Sequence, residues 1–122
     1  MDIRQSRFGG AIVLLPVGRI DHATSEDFRA QLEIIVASAA GEALIFDLTR
    51  VEYISSAGLR CFMLASKQAK MHGSPMAVAG LQPVVKEIFE ISRFTLVFEV
   101  FPTVRDAIAT VAPGALSAYD GR

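Results

Sequence analysis

The sequence predicts an α/β fold: one domain on a mixed β-sheet, in which a β-hairpin precedes alternating helices and strands and the helices pack mainly on one side. Gly9-Gly10 lies between residues 3–8 and the mostly apolar residues 11–17, and is a residue pair typical of a hairpin turn. Beyond it, short apolar runs alternate with segments whose apolar residues recur every third or fourth position. A length of 122 residues suits a single domain with one modest core.

The first half of the chain predicts the hairpin, one helix and a central strand. The hairpin strands are expected at residues 3–8 and 11–17. Thr24 is suited to cap a helix over residues 25–39, because a threonine hydroxyl can accept a hydrogen bond from the first helical turn. Residues 43–48 are almost entirely apolar, which indicates a strand buried on both faces.

The second half predicts further alternation of helices and strands. Periodicity indicates a helix over residues 56–72 that ends at Gly73, and a last helix that begins after Pro102-Thr103. Between these helices we expect strands at residues 76–79 and 96–101, with a short helix near residues 84–91. The domain is expected to cover residues 1–112, with residues 113–122 as a frayed C-terminal tail.

Composition argues against several classes of partner. The formal net charge is −1, and the basic residues are scattered, so neither nucleic acid nor an anionic membrane is predicted. The polar start of the chain lacks the pattern of a signal peptide, and no apolar run is long enough to span a bilayer, so we expect a cytoplasmic protein. The single cysteine, Cys61, lies among apolar residues and is predicted to be a packed thiol in a reducing compartment.

Two adjacent serines, Ser55 and Ser56, lie at the start of the second helix, after the loop that follows the central strand. The small residues Ala57 and Gly58 follow them. The first N–H groups of a helix are unpaired and carry partial positive charge, so they can hold a serine oxygen or a phosphate. The simplest role for Ser56 is an N-cap, and an exposed serine there could also be a nucleophile or a site of modification.

A serine hydrolase is a distant alternative. The nucleophile elbow needs Gly-x-Ser-x-Gly, but Ile54 stands two residues before Ser56. His72 is expected roughly 24 Å from Ser56 along the helix, and the adjacent residues Asp21 and His22 cannot readily act in line as orienting acid and base. Metal-ligand spacings and glycine-rich nucleotide motifs are also missing, so no cofactor or metal is predicted and the protein is not expected to be an enzyme.

Three segments resemble the STAS domain of anti-sigma factor antagonists. Residues 18–24, Gly-Arg-Ile-Asp-His-Ala-Thr, are similar to the family's entry into its first helix. Residues 44–59 resemble its signature of apolar strand, Asp-Leu, aromatic residue and Asp-Ser-(Ser/Ala)-Gly-Leu, and residues 84–94 are similar to its later short helix. The resemblance spans about residues 5–111 and implies a single STAS-type domain.

The resemblance implies a partner switch in transcription regulation. Ser56 takes the position of the serine that is phosphorylated by a serine kinase anti-sigma factor, with Ser55 as the alternative acceptor. The unphosphorylated antagonist would bind that kinase, phosphorylation would abolish binding, and a PP2C-type serine phosphatase would restore it. A monomer or weak dimer is expected. A STAS scaffold or ligand-binding subunit that is never phosphorylated is the alternative function.

The resemblance also implies which residues contact the partner, and one position departs from the family pattern. Family members often carry Asp immediately before the phosphorylated serine, where this chain has Ser55, which could also serve purely as a helix cap. The expected contact residues lie in the loop before the first helix and at the start of the second. They are Asp21, His22, Thr24, Ser55, Ser56, Ala57, Gly58, Leu59 and Arg60.

Overall fold

The computed structural model describes all of residues 1–122, and its backbone forms one six-stranded sheet with five α-helices. The strands are β1 (Asp2–Arg7), β2 (Ala11–Ile20), β3 (Ala43–Asp47), β4 (Val51–Ile54), β5 (Met76–Ala79) and β6 (Glu99–Phe101). The helices are α1 (Ser25–Ser38), α2 (Ser56–Met71), α3 (Pro83–Ile91), α4 (Val104–Val111) and α5 (Leu116–Asp120).

The sheet is mixed, as predicted. Strands β1 and β2 pair antiparallel across Gly9-Gly10, whose φ angles of +61° and +118° explain why two glycines stand at this turn. The remaining pairs, β2 with β3, β3 with β5 and β5 with β6, are parallel, and β4 pairs with the end of β2 beside the main path. The hairpin followed by crossover helices therefore gives the predicted α/β fold.

Helices α1, α2 and α3 lie on one face of the sheet and the shorter helices α4 and α5 on the other, so most of the helical residues lie on one side, as predicted. In β3, Leu44 and Phe46 belong to a cluster of 23 buried residues that α1, α2 and α3 cover. The alternate residues Ala43 and Ile45 point to the opposite face and join a cluster of 9 buried residues with α4. Phe62 of α2 is fully buried in the larger cluster, with its ring edge-to-face against neighbouring phenylalanines.

Strand β4 was not predicted. Val51 and Ile54 are buried, and β4 pairs in parallel with Gly18–Ile20 because β2 runs three residues further than expected. A register shift lies within this pairing, because Gly18 stands opposite Val51 whereas Arg19 stands opposite Tyr53. The consequence is that β4 delivers Ser55 directly beside Ile20, at the end of β2.

The C-terminal residues are folded, so the prediction of a frayed tail is wrong. A 3-10 turn at Pro113–Ala115 and helix α5 follow α4, and Ala115 is buried. The ring of Tyr119 packs edge-to-face on Phe8 at 5.2 Å, and Arg105 forms two hydrogen bonds to the Asp120 carboxylate. The apolar residues of this segment cover part of the second sheet face, which accounts for its order.

The last predicted strand is shorter than expected. Phe94–Leu96 form a 3-10 turn rather than the start of the strand, and Phe94 and Phe98 are buried in the larger cluster. Only Glu99–Phe101 remains free to pair with β5.

Candidate functional site

The start of α2 is capped by Ser55. Its backbone is extended, and its Oγ accepts a hydrogen bond from the Gly58 N–H at 3.2 Å. The Ser55 N–H donates to the carbonyl oxygen of Ile20 at 2.8 Å, which ties the helix start to the end of β2. Serine and aspartate are both favourable N-caps, so Ser55 caps the helix at the position where the resemblance leads us to expect an aspartate, and it does so without a charge.

Ser56 is the first residue of α2 and is exposed. Its hydroxyl makes no hydrogen bond within the chain, whereas the Ser55 hydroxyl is occupied by the cap. The simplest sequence interpretation of Ser56, that it is the N-cap, is therefore wrong, because Ser55 has that role. Of the two serines, Ser56 is the one with an accessible, unengaged nucleophilic oxygen.

Gly58 and Leu59 lie beneath this surface rather than on it. Both are buried, and a Cβ added at Gly58 would lie 2.7 Å from Ile20 Cγ2 and 2.9 Å from Ile54 Cγ1. Glycine is thus required for α2 to pack closely against β2 and β4. Among the expected contact residues, these two support the surface from below.

The loop before α1 is held rigid by Asp21 and Thr24. The Asp21 Oδ1 atom accepts hydrogen bonds from the N–H groups of Ala23 and Thr24 at 3.0 and 3.1 Å. The Thr24 hydroxyl donates to the Arg19 carbonyl at 2.9 Å and accepts from the Asp21 N–H at 3.0 Å. The hydrogen bonds that the Asp21 carboxylate accepts, chiefly the one from the Thr24 N–H, hold the pKa of Asp21 below its usual value.

Thr24 occupies the predicted N-cap position of α1, but its side chain does not cap the helix. The hydroxyl turns back into the loop, where it fixes Asp21 instead. The predicted position of Thr24 at the helix start is confirmed, but the prediction that its hydroxyl accepts a hydrogen bond from the first helical turn is wrong.

A groove of about 440 Å³ between α1 and α2 joins the loop to the helix start. Its charged residues are Glu26 and Arg29 of α1 and Arg60 of α2. Arg29 pairs with Glu26 and with Glu33 one turn further along α1, while none of the chain's ion pairs involves Arg60. The lining residues are His22, Ser25, Glu26, Arg29, Ser56, Ala57, Arg60, Cys61 and Leu64.

Cys61 forms part of the floor of this groove. It is 6 % exposed, and its thiol donates a hydrogen bond to the Ser25 carbonyl at 3.4 Å. Burial raises the pKa of the Cys61 thiol. The structure thus agrees with the prediction of a packed thiol, because both effects keep it protonated at neutral pH.

Arg19 and Tyr53 extend the surface and were not predicted. The Arg19 guanidinium lies over the Tyr53 ring at 4.6 Å, and its Nε is 3.7 Å from Asp21 Oδ2. Arg19 and Tyr53 are neighbours because they pair across β2 and β4. The contact was missed because the sequence analysis expects a loop, and not a strand, at residues 51–54.

The arrangement does not favour a hydrolase. His22 and Ser56 both line the groove, but no hydrogen bond joins them. The Asp21 carboxylate is turned to backbone N–H groups of its own loop, so it does not orient His22. His72 lies at the opposite end of α2, which ends at Met71.

None of the helices combines the length and the apolar character needed to cross a membrane.

The profile of the STAS domain family matches residues 3–107. The chain is 33 % identical over 116 residues to a protein of Bordetella bronchiseptica that is provisionally named anti-sigma factor antagonist BtrV, covering 95 % of this chain and 98 % of that protein. It is also 30 % identical over 89 residues to the anti-sigma-B factor antagonist of Listeria monocytogenes. That match covers 73 % of this chain and 77 % of the relative.

Solved structures share the fold. An anti-sigma factor antagonist of Mycobacterium paratuberculosis superposes with a TM-score of 0.81 at 23 % identity, over 90 % of this chain and 92 % of that one. The antagonist SpoIIAA in its unphosphorylated form gives a TM-score of 0.76 at 18 % identity, over 92 % and 97 % of the two chains. A sulfate transporter family protein of Wolinella succinogenes gives a TM-score of 0.72 at 15 % identity, over 92 % of this chain and 89 % of that one. The chain belongs to the STAS domain family, and its sequence relatives there carry the name of anti-sigma factor antagonists.

Proposed function

We propose that the protein is an anti-sigma factor antagonist that binds a serine kinase anti-sigma factor while Ser56 is unphosphorylated and releases it when Ser56 is phosphorylated. A PP2C-type serine phosphatase restores binding, and the exchange takes place in the cytoplasm. In this scheme the chain is a substrate and a binding partner, and it catalyses no step itself.

The observation that carries the proposal is the state of the Ser56 hydroxyl. It is exposed and unengaged at the start of α2, while the neighbouring Ser55 hydroxyl is used as the cap. A kinase needs an accessible oxygen whose lone pair is free to attack the γ-phosphate, and Ser56 meets that requirement without local unfolding. Ser55 meets it only if the capping bond to Gly58 is broken.

The surface around Ser56 is suited to a switch that acts through contacts. A phosphate adds about −1.5 to −2 charge at neutral pH, and a helix start tolerates that charge well. The fold of the antagonist therefore persists after phosphorylation, and the added charge and bulk act on the bound partner. The exposed or half-buried members of the proposed contact surface are Asp21, His22, Thr24, Ser55, Ser56, Ala57 and Arg60.

The test is phosphorylation by a serine kinase anti-sigma factor from the same organism, followed by intact-mass spectrometry. Wild-type protein incubated with the kinase and ATP is expected to gain one phosphate, and Ser56→Ala is expected to gain none. Ser55→Ala is the matched control and keeps the phosphate, because Ser56 is the acceptor. Phosphate that persists in Ser56→Ala and is lost in Ser55→Ala would overturn the assignment.

A second candidate is a STAS scaffold or ligand-binding subunit that is never phosphorylated. The reason to consider this alternative is that the fold also occurs in a sulfate transporter family protein. In that case no kinase adds mass to the wild-type chain, and Ser56→Glu leaves partner binding unchanged. Loss of kinase binding in Ser56→Glu with an unchanged melting curve supports the switch instead.

A further inference from the structure

We propose that Arg60 binds the phosphate on Ser56 within the same chain, so that the phosphorylated form is held by its own guanidinium group. This inference rests on the proposed function, because it requires a phosphate at Ser56. It adds an intramolecular contact that sets how firmly the modified state is kept.

The spacing of the two residues favours the contact. Ser56 and Arg60 lie four positions apart within α2, and both line the groove between α1 and α2. Side chains at positions i and i+4 of a helix are neighbours on one face, with Cβ atoms roughly 5 to 6 Å apart. A phosphate on Ser56 Oγ therefore lies within reach of the long Arg60 side chain without movement of the backbone.

Arg60 is the cation of the groove that remains available. Arg29 on the facing helix is already paired with Glu26 and Glu33. Arg60 is exposed and takes part in no ion pair. The anion of the groove, Glu26, would repel a phosphate, but its charge is offset by Arg29, so the net attraction comes from Arg60.

The cap of α2 reinforces this arrangement because it is neutral. Ser55 supplies the capping oxygen without a charge, and the first turn of α2 contains no acidic residue. The Asp21 carboxylate in the adjacent loop is turned to backbone N–H groups. The planar guanidinium fork fits two phosphate oxygens at once, so Arg60 can bind more specifically than a lysine could.

The test places phosphoserine at position 56 during protein synthesis and follows its phosphorus NMR signal against pH. Attraction to Arg60 stabilises the doubly charged phosphate, so the midpoint of the titration is expected about 0.2 to 0.4 pH unit lower in the wild-type background than in Arg60→Gln. Lys67→Gln is the matched control: it removes the same charge from an exposed site further along α2 and leaves the midpoint unchanged. The Arg60 Nε–H signal is expected to shift with the same midpoint.

Equal midpoints in the wild-type and Arg60→Gln backgrounds, with far-UV circular dichroism showing both folded, would overturn the contact. An equal change in Lys67→Gln would also overturn it, because the effect would then be one of net charge alone. No kinase takes part, so these outcomes leave phosphorylation of Ser56 unaffected. Conversely, absence of kinase-dependent phosphorylation would refute the proposed function without altering the NMR result.

Discussion

Replacing Gly58 with alanine tests whether close packing at the start of α2 maintains the site. The new methyl carbon would lie 2.7 Å from Ile20 Cγ2, 2.9 Å from Ile54 Cγ1 and 3.0 Å from the Ile20 carbonyl oxygen. The backbone oxygen cannot rotate away, so α2 must shift outward from β2. Overpacking of this kind costs about 1 to 3 kcal/mol.

Part of this cost is returned, because alanine favours a helix over glycine by up to about 1 kcal/mol. Taken from the middle of the overpacking range, about 2 kcal/mol, this leaves a net loss of about 1 kcal/mol in the free energy of unfolding, which lowers the melting temperature by roughly 3 to 6 °C in a domain of this size. Urea denaturation followed by circular dichroism at 222 nm measures the first quantity, and a thermal scan measures the second.

Gly114→Ala is the matched control, because a Cβ at Gly114 has no neighbour within 4 Å. Its stability is expected to stay within about 0.5 kcal/mol of wild type. A Gly58→Ala protein as stable as wild type would refute the argument from close packing, and Gly58 would then be free to serve partner access instead.

Three further predictions follow from the cap, the loop and the C-terminal segment. Ser55→Ala should lower the free energy of unfolding by about 1 kcal/mol and Ser56→Ala by less than about 0.5 kcal/mol, and equal losses in urea denaturation would contradict the assignment of the cap. Because the folded-state pKa of Asp21 is lowered, its stabilising contribution is present above its unfolded-state pKa and is lost as pH falls through the folded-state value. Acid unfolding of Asp21→Asn should therefore lack part of the wild-type pH dependence, and superimposable profiles would argue against the loop bonds. Removing residues 113–122 uncovers Phe8 and should cost about 1 to 3 kcal/mol, so an unchanged melting temperature would show that α5 adds nothing.

Elements with strong local signals were predictable from the sequence. Gly9-Gly10 identifies the hairpin because only residues tolerant of positive φ suit that turn. The α2 helix could be located from its apolar spacing and from Gly73, whose φ of +72° ends it.

Elements that depend on distant pairing were missed. Strand β4 has four residues, one of them an exposed glutamate, and its identity as a strand comes from pairing with β2. The sequence pattern of residues 113–122 is short and weakly periodic, and its order comes from contacts such as that of Tyr119 with Phe8. Local propensity does not identify the distant strand or side chain with which each of these segments makes contact.

The candidate site divides in the same way. Ser55 and Ser56 were found from the sequence, but their separate roles depend on one hydrogen bond to Gly58 N–H that no pattern specifies. The groove and its unpaired Arg60 could not be predicted, because they arise where two helices distant in sequence come together.

The bond from the Ser55 N–H to the Ile20 carbonyl joins residues that lie far apart along the chain. Bringing such distant segments together costs conformational entropy of the intervening chain, so this bond depends on the tertiary fold and not on local sequence. The serine surface is therefore assembled only when the β2–β4 pairing is complete. In the proposed function, an anti-sigma factor that contacts both the Asp21 loop and Ser56 would therefore discriminate the folded chain from its partly folded forms.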